Sequence, residues 1–292
     1  MLTRLSGHEL DEQVVPLMRL TQKKLLGDPS QIALNSVHGL AYHRGLGNPI
    51  SPMSSTPFKK YIGIERIVSF AMAAYSKQNI AVVANGASRA DLSKWIGEFY
   101  NDTFTSNDQI PQHTSTKYHG GEERIGHDKG NTMILGFPGS SSFTSGSSYK
   151  PEIDVLTALL GGQSSIKWSS GFSLLSKATA KQSNMRVATE HLQYSDTGLL
   201  TVTLSGDAAH VADASRNVVD TLKRVAGGEV SAEDIKKATA FAKFRALETG
   251  EDVSTGLEAT GSGLIRAGKA HQLDEIGRAI ENVPVAKVKA VS

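Results

Sequence analysis

Nine histidines, 29 acidic residues and no cysteine set the limits of the metal and nucleophile chemistry open to this 292-residue chain. Hydrolytic zinc needs about three protein ligands around an open position and a base beside the bound water. A helical His-x-x-Glu-His would supply two imidazoles on one face with such a base, and no stretch reads so. His38 and His43 lie five apart, a spacing that turns them to different faces of a helix. They read as solvated or loop-packing histidines. His113, His119 and His127, with Glu122 and Glu123, crowd one polar stretch at spacings of six and eight, which fit no usual zinc pattern. That stretch reads as a solvated linker. The lack of cysteine excludes disulfides, thiolate catalysis and cysteine-bound zinc. Gly-x-Ser-x-Gly is absent as well, so no hydrolase elbow is expected. Neither a catalytic residue, a metal site nor a cofactor is expected.

Glycine and serine offer a second kind of chemistry, contact through the backbone. The loop from Gly161 to Gly171 is small and polar around one large aromatic, Trp168. It has no Gly-Lys-Ser/Thr ending and no dinucleotide fingerprint, which argues against phosphate. Gly161, Gly162, Gly171 and Ser173 are the candidate residues of a loop that contacts an extended peptide or a partner. Gly261-Ser262-Gly263 has no strand before it and reads as close helix packing or a turn. Asn101-Asp102-Thr103 is a glycosylation sequon by pattern only.

The elements that must hold this loop are legible on both sides of it. Leu156, Leu159 and Leu160 have helical spacing, and Gly161-Gly162 marks the end of that helix, where positive φ carries no Cβ clash. A second helix is expected from Phe172 to Ala180, then Tyr194-Ser195-Asp196-Thr197-Gly198 and a strand over Leu199 to Leu204. Upstream, helices are expected over Glu9 to Leu26, from a Ser30 cap to Leu40, over Ile64 to Ser76 and over Asp91 to Tyr100. Asn79-Ile80-Ala81-Val82-Val83-Ala84 reads as a buried strand, and Thr132 to Phe137 as another. Helices over Ala209 to Val225 and from Ser231 to Leu247, then two more, complete the chain.

Length allows about two domains of ordinary size. The expected division is 1–107, a linker over 108–131, and 132–292. A net charge of +2 points to no nucleic acid, and no apolar run reaches the roughly eighteen residues of a membrane span. A shift of 223 lays Asp11 on Asp234 and Gly45 on Gly268, and after a seven-residue gap Ser76 falls on Ser292. The order helix, stop, helix, glycine is shared. On this repeat, the second copy halts before the counterpart of Ile80 to Ala84, and about a hundred residues are expected ahead of Met1, so the chain reads as a fragment.

Taken together, Leu160-Gly161-Gly162, Gly171-Phe172-Ser173-Leu174-Leu175 and Tyr194-Ser195-Asp196-Thr197-Gly198-Leu199 resemble the second half of the pitrilysin-like metallopeptidase superfamily. The pattern is that of its non-catalytic branch, and is most similar to the fungal core proteins of mitochondrial respiratory complex III. The resemblance implies an α+β fold of duplicated half-domains, helices packed on a mostly antiparallel sheet. It also implies a scaffold on the matrix side of the inner membrane, partnered by core protein 1 and other complex III subunits and reaching the membrane only through them. Glu9 falls near the third zinc ligand of active members, but Leu2 stands where their companion acid would be, and the favoured reading is an ordinary first-turn acid. The alternative within the branch is the presequence-binding α-subunit of the processing peptidase. Its glycine run is longer than this one, which Gln163, Ile166, Lys167 and Trp168 interrupt. An active zinc peptidase would need its motif ahead of Met1.

Overall fold

The computed structural model describes residues 6–49, 63–100, 115–146, 148–162, 171–182 and 184–290. It divides into two compact units, Met1–Gly27 with Pro49–Ser115, and Asp28–Asn48 with Thr116–Ser292. The sequence reading keeps 1–107 together. In the structure the helix that follows Asp28 packs with the second unit, because its apolar side covers a strand there.

In the first unit, Ser6 and Glu9 form a reciprocal cap. The Glu9 amide donates to Ser6 Oγ at 3.1 Å and the Ser6 amide donates to Glu9 Oε2 at 2.8 Å. Two orphan amides are thereby satisfied at a helix entry. A π-helical turn over Leu10–Val14 leads into helix α1 (Val15–Leu26), so the expected helix runs through. Its last turn carries Lys23 and Lys24, favourable at the negative end of the helix dipole. After α2 (Pro29–Tyr42), which belongs to the second unit, come α3 (Ile64–Ala74) and α4 (Arg89–Tyr100). Ser88 caps α4 by accepting from the Asp91 amide at 3.2 Å.

The expected strand over Ile80 to Ala84 is not one. A 3-10 turn over Lys77–Asn79 is followed by extended backbone with no ladder among the described residues, and Ala81, Val82 and Ala84 are exposed. Branched residues favour extended backbone, but a strand exists only where a neighbour completes the ladder.

The second unit is built on a three-stranded antiparallel sheet of order β1-β3-β2, with β1 Asn131–Pro138, β2 Met185–Gln193 and β3 Gly198–Gly206. β2 was not expected. Arg186 and Glu190 break its apolar pattern on the exposed side, while Val187 and Thr189 point inward and are buried. The central strand β3 is buried continuously from Gly198 to Val202, with Leu199, Val202 and Leu204 fully enclosed. One face of the sheet is covered by α5 (Pro151–Leu160), α6 (Leu174–Thr179) and α7 (Ala208–Ala226), and α8 (Ala232–Glu248) packs on α5 and shares its core. In α7 the buried Val211, Ala214, Val218, Thr221 and Val225 recur every three or four residues, one helical stripe. Each fully buried valine contributes on the order of 2 kcal/mol. α9 (Val253–Ala267), α10 (Leu273–Glu281) and α11 (Val285–Ala290) follow, three helices where two were expected.

Helix α2 (Pro29–Tyr42) covers the opposite face at β1. Its cap is Asp28, which accepts from the Ser30 amide at 2.9 Å, two residues earlier than expected. Pro29 at the first helical position fixes that start, since its missing N–H would be an orphan there anyway. Its last residues, Ala41 and Tyr42, bury against Leu199.

Candidate functional site

The glycine loop is held at a closed neck. Gly161 ends α5 at φ 57°, and its amide donates to Thr157 O at 2.8 Å. A Cβ on Gly161 would lie 2.4 Å from Ser173 Cβ, and one on Gly162 would lie 2.5 Å from Val187 O. No side chain fits at either place. Ser173, the N-cap of α6, donates from Oγ to Gly162 O at 3.1 Å, and Ser176 Oγ donates back to Ser173 O at 2.9 Å. The Thr189 hydroxyl donates to Gly161 O and ties the neck to β2. Gly161, Gly162 and Ser173 therefore converge, while Gly171 supplies a positive φ of 80° at the loop's exit. Gln163 to Ser170, with Trp168, lie outside the described residues.

Tyr194 to Gly198 forms the β2–β3 turn and binds three other segments to it. The Tyr194 amide donates to Thr197 O at 2.9 Å, closing the turn. Ser142 N donates to Tyr194 O at 2.8 Å, Gly139 N to Gly198 O at 2.7 Å, and Thr116 N to Asp196 Oδ2 at 2.8 Å. Below it, Tyr194 OH lies 2.6 Å from His38 Nε2, and His38 Nδ1 lies 2.7 Å from Leu34 O. A carbonyl only accepts, so Nδ1 carries the proton and Nε2 accepts from the tyrosine. Tyr42 packs edge-on against Tyr194 at 6.4 Å, and burial pushes its phenol up to about 12. Burial also raises Tyr118 and Tyr194.

A half-buried polar cluster that the sequence did not announce lies beside this turn. His191 Nδ1 is 2.7 Å from Asp154 Oδ1, Tyr149 OH donates to Asp154 Oδ2 at 2.5 Å, and Gln193 Nε2 donates to Asp154 Oδ1 at 3.1 Å. Burial, and then the Asp154 charge, push the Tyr149 phenol far up. An acid, a histidine and Ser140 look like a hydrolytic triad, but His191 Nε2 accepts from the backbone N–H of Ser140 at 3.0 Å. The Ser140 hydroxyl donates elsewhere, to Ser141 O at 3.2 Å. With both ring nitrogens engaged and the side chain 4% exposed, His191 is a clamp on the backbone leaving β1. No motif spacing could have found it, since Asp154, His191 and Ser140 meet only through the sheet.

The remaining candidates stay apart from any such cluster. His43 turns out of α2 at φ 58° and its ring meets His119 at 4.3 Å. Glu122 pairs with Arg124 at 2.6 Å, and Glu123 accepts from the Ser36 hydroxyl. His113 lies outside the described residues. Glu9 serves the Ser6 cap, whose backbone and hydroxyl hydrogen bonds hold its carboxyl below the usual range. Among the described residues no group of three or more His, Asp or Glu could hold a metal ion.

The family described as "Peptidase M16 inactive domain" matches residues 61–240, more than half of the chain. The chain is 40% identical over 290 residues to "Cytochrome b-c1 complex subunit 2, mitochondrial" of Neurospora crassa, covering 99% of this chain and 63% of that relative. The Yarrowia lipolytica protein of the same name is 33% identical over 264 residues, 90% of this chain and 60% of the relative. The chain thus spans less than two thirds of the length of these curated relatives. In the solved structure "Complex III2 from Candida albicans, Inz-5 bound", one chain superposes with a TM-score of 0.77 at 14% identity, over 99% of this chain and 68% of that one. That likeness shows a shared α+β fold. The resemblance drawn from the glycine loop and the Tyr194 turn is borne out at the level of the family: the chain belongs to the peptidase M16 inactive-domain family.

Proposed function

We propose that this chain acts as a non-catalytic structural core subunit of mitochondrial respiratory complex III, the role of core protein 2. The observation that carries this is the 40% identity over 290 residues to a subunit 2 of the cytochrome b-c1 complex. Its partners in this reading are core protein 1 and other subunits of the complex. Its place is the matrix side of the inner membrane, reached through those partners. No helix among the described residues is long and apolar enough to cross a membrane. The site chemistry agrees with a scaffold: His38 and His191 have both ring nitrogens engaged in internal hydrogen bonds, and Glu9 caps a helix. The loop with Gly161, Gly162, Gly171 and Ser173 is proposed as a partner contact, its clamped neck giving the loop backbone a fixed base.

The test is to tag the chain in its source cells, solubilise mitochondria gently and separate native complexes. Co-migration with the haem-bearing subunits of complex III, and release of the chain by alkaline carbonate once the complex is taken apart, are expected. Migration with processing-peptidase activity instead, one zinc per chain after dialysis, or presequence cleavage abolished by Glu9→Gln would overturn the reading.

A further inference from the structure

An asparagine side-chain amide is open to attack by the next backbone nitrogen when that nitrogen belongs to glycine, which has no Cβ to hold it off. Asn85 is the one asparagine of this chain that precedes a glycine, and no aspartate does. The fold leaves this pair open. Asn85 and Gly86 form an exposed bend between the extended stretch Ile80 to Ala84 and helix α4. Gly86 has φ 81°, and a Cβ built on it would meet no atom within 4 Å. Among the described residues no hydrogen bond reaches the Asn85 side chain or the Gly86 N–H.

The other asparagines that the structure describes are held or blocked. Asn79 Nδ2 donates to Ala73 O at 2.8 Å and to Ser76 Oγ at 2.9 Å, and the Ile80 N–H that would attack it donates to Lys77 O at 3.4 Å. Asn35 and Asn217 lie inside α2 and α7, where the following amide belongs to the helix ladder. Asn131 and Asn184 precede residues fixed in the sheet, Thr132 opposite Ser205 and Met185 opposite Gly206. The Val283 N–H, after Asn282, donates to Ile280 O at 3.2 Å. Pro49, after Asn48, has no N–H at all.

We propose that Asn85-Gly86 is a site of spontaneous covalent modification, at which Asn85 becomes aspartate or isoaspartate with water as the only co-reactant. Hydroxide takes the Gly86 amide proton, and the nitrogen bonds to Asn85 Cγ. The Cγ–Nδ2 bond then breaks. Nδ2 leaves as ammonia with a proton from water, which returns the hydroxide and leaves a five-membered succinimide. Water next cleaves one of the two C–N bonds of that ring. Opening at Cγ gives aspartate, whereas opening at the Asn85 main-chain carbonyl gives isoaspartate, whose backbone runs through Cγ. The sum is asparagine and water going to acid and ammonia, with no oxidation or reduction. Either product sets a new carboxylate three residues ahead of Ser88, the cap of α4, and lowers the net charge of +2 by one unit. The inference stands apart from any role in complex III.

The test incubates the full chain in mildly alkaline buffer, with circular dichroism to show that it stays folded. Digestion and mass spectrometry are expected to place a gain of about one dalton on Asn85 before any other described asparagine. Methyl transfer by a protein-isoaspartate methyltransferase reports the isoaspartate. The rate should lie within about threefold of that in a free peptide of residues 81–90, because opening an unbonded, exposed bend costs close to nothing. Asn85→Ser is expected to abolish the gain. Gly86→Ala should slow the reaction about fivefold or more, since a Cβ crowds the attacking nitrogen and restricts the turn. A rate in the folded chain more than about tenfold below that of the free peptide would show that the turn is held, and overturns the proposal. A first gain at another described asparagine overturns it as well.

Discussion

Gly198 and Ser140 cross so closely that a Cβ on Gly198 would stand 2.0 Å from the Ser140 carbonyl oxygen. Between these two residues the β2–β3 turn meets the backbone that leaves β1, which explains the glycine of Tyr194-Ser195-Asp196-Thr197-Gly198 by contact and not by φ.

Gly198→Ala is therefore expected to be among the most damaging single changes, with a loss of about 3 kcal/mol or more from overpacking against fixed backbone. Ser140→Ala leaves the crossing intact and should cost far less. Chemical denaturation of the two variants checks the contrast, and equal losses would refute the steric account.

The cluster around Asp154 predicts a polar penalty. In Asp154→Asn, the amide group must face either Tyr149 OH or His191 Nδ1–H, both of which donate to the carboxylate in the native chain. One buried donor then lacks an acceptor, at a cost of about 2 kcal/mol. Gln193→Ala, whose own contact is longer and exposed, should cost only a fraction of that in the same measurement.

Four of the seven tyrosines, Tyr42, Tyr118, Tyr149 and Tyr194, have phenols raised chiefly by burial. A raised folded value favours the neutral form, so this contribution is whole below the unfolded value near about 10 and is lost as pH rises through the folded one. Stability should fall above that value, and for Tyr42 the window closes at about 12. Spectrophotometric titration of tyrosinate should show a late group that appears only as the chain unfolds. Tyr42→Phe removes one member of it.

The polar composition of 108–131 predicts the first proteolytic cuts there. Because α2 lies upstream of the cuts yet packs on β1, the two products should elute together until denaturant is added. Products that separate in buffer would show that α2 is not held by β1.

The sequence by itself determined the local elements. Leu156, Leu159 and Leu160 specify a helix, Gly161-Gly162 ends it, Ser231 caps α8 by accepting from the Asp234 amide, and the alternation from Leu199 to Leu204 specifies β3. These follow from periods of 3.6 and 2 and from groups a few residues apart. The family, too, was legible in short motifs. What those motifs do was not: the glycines of the loop neck and Gly198 are required by strands and hydroxyls distant in sequence. Tertiary structure alone decided that β2 exists despite its charges, that Ile80 to Ala84 forms no ladder among the described residues, that α2 serves the second unit, and that His191 is a backbone clamp. The reason is physical: a helix satisfies its hydrogen bonds within itself, whereas a strand, a buried histidine or a close glycine crossing is defined only by the distant segment that pairs with it.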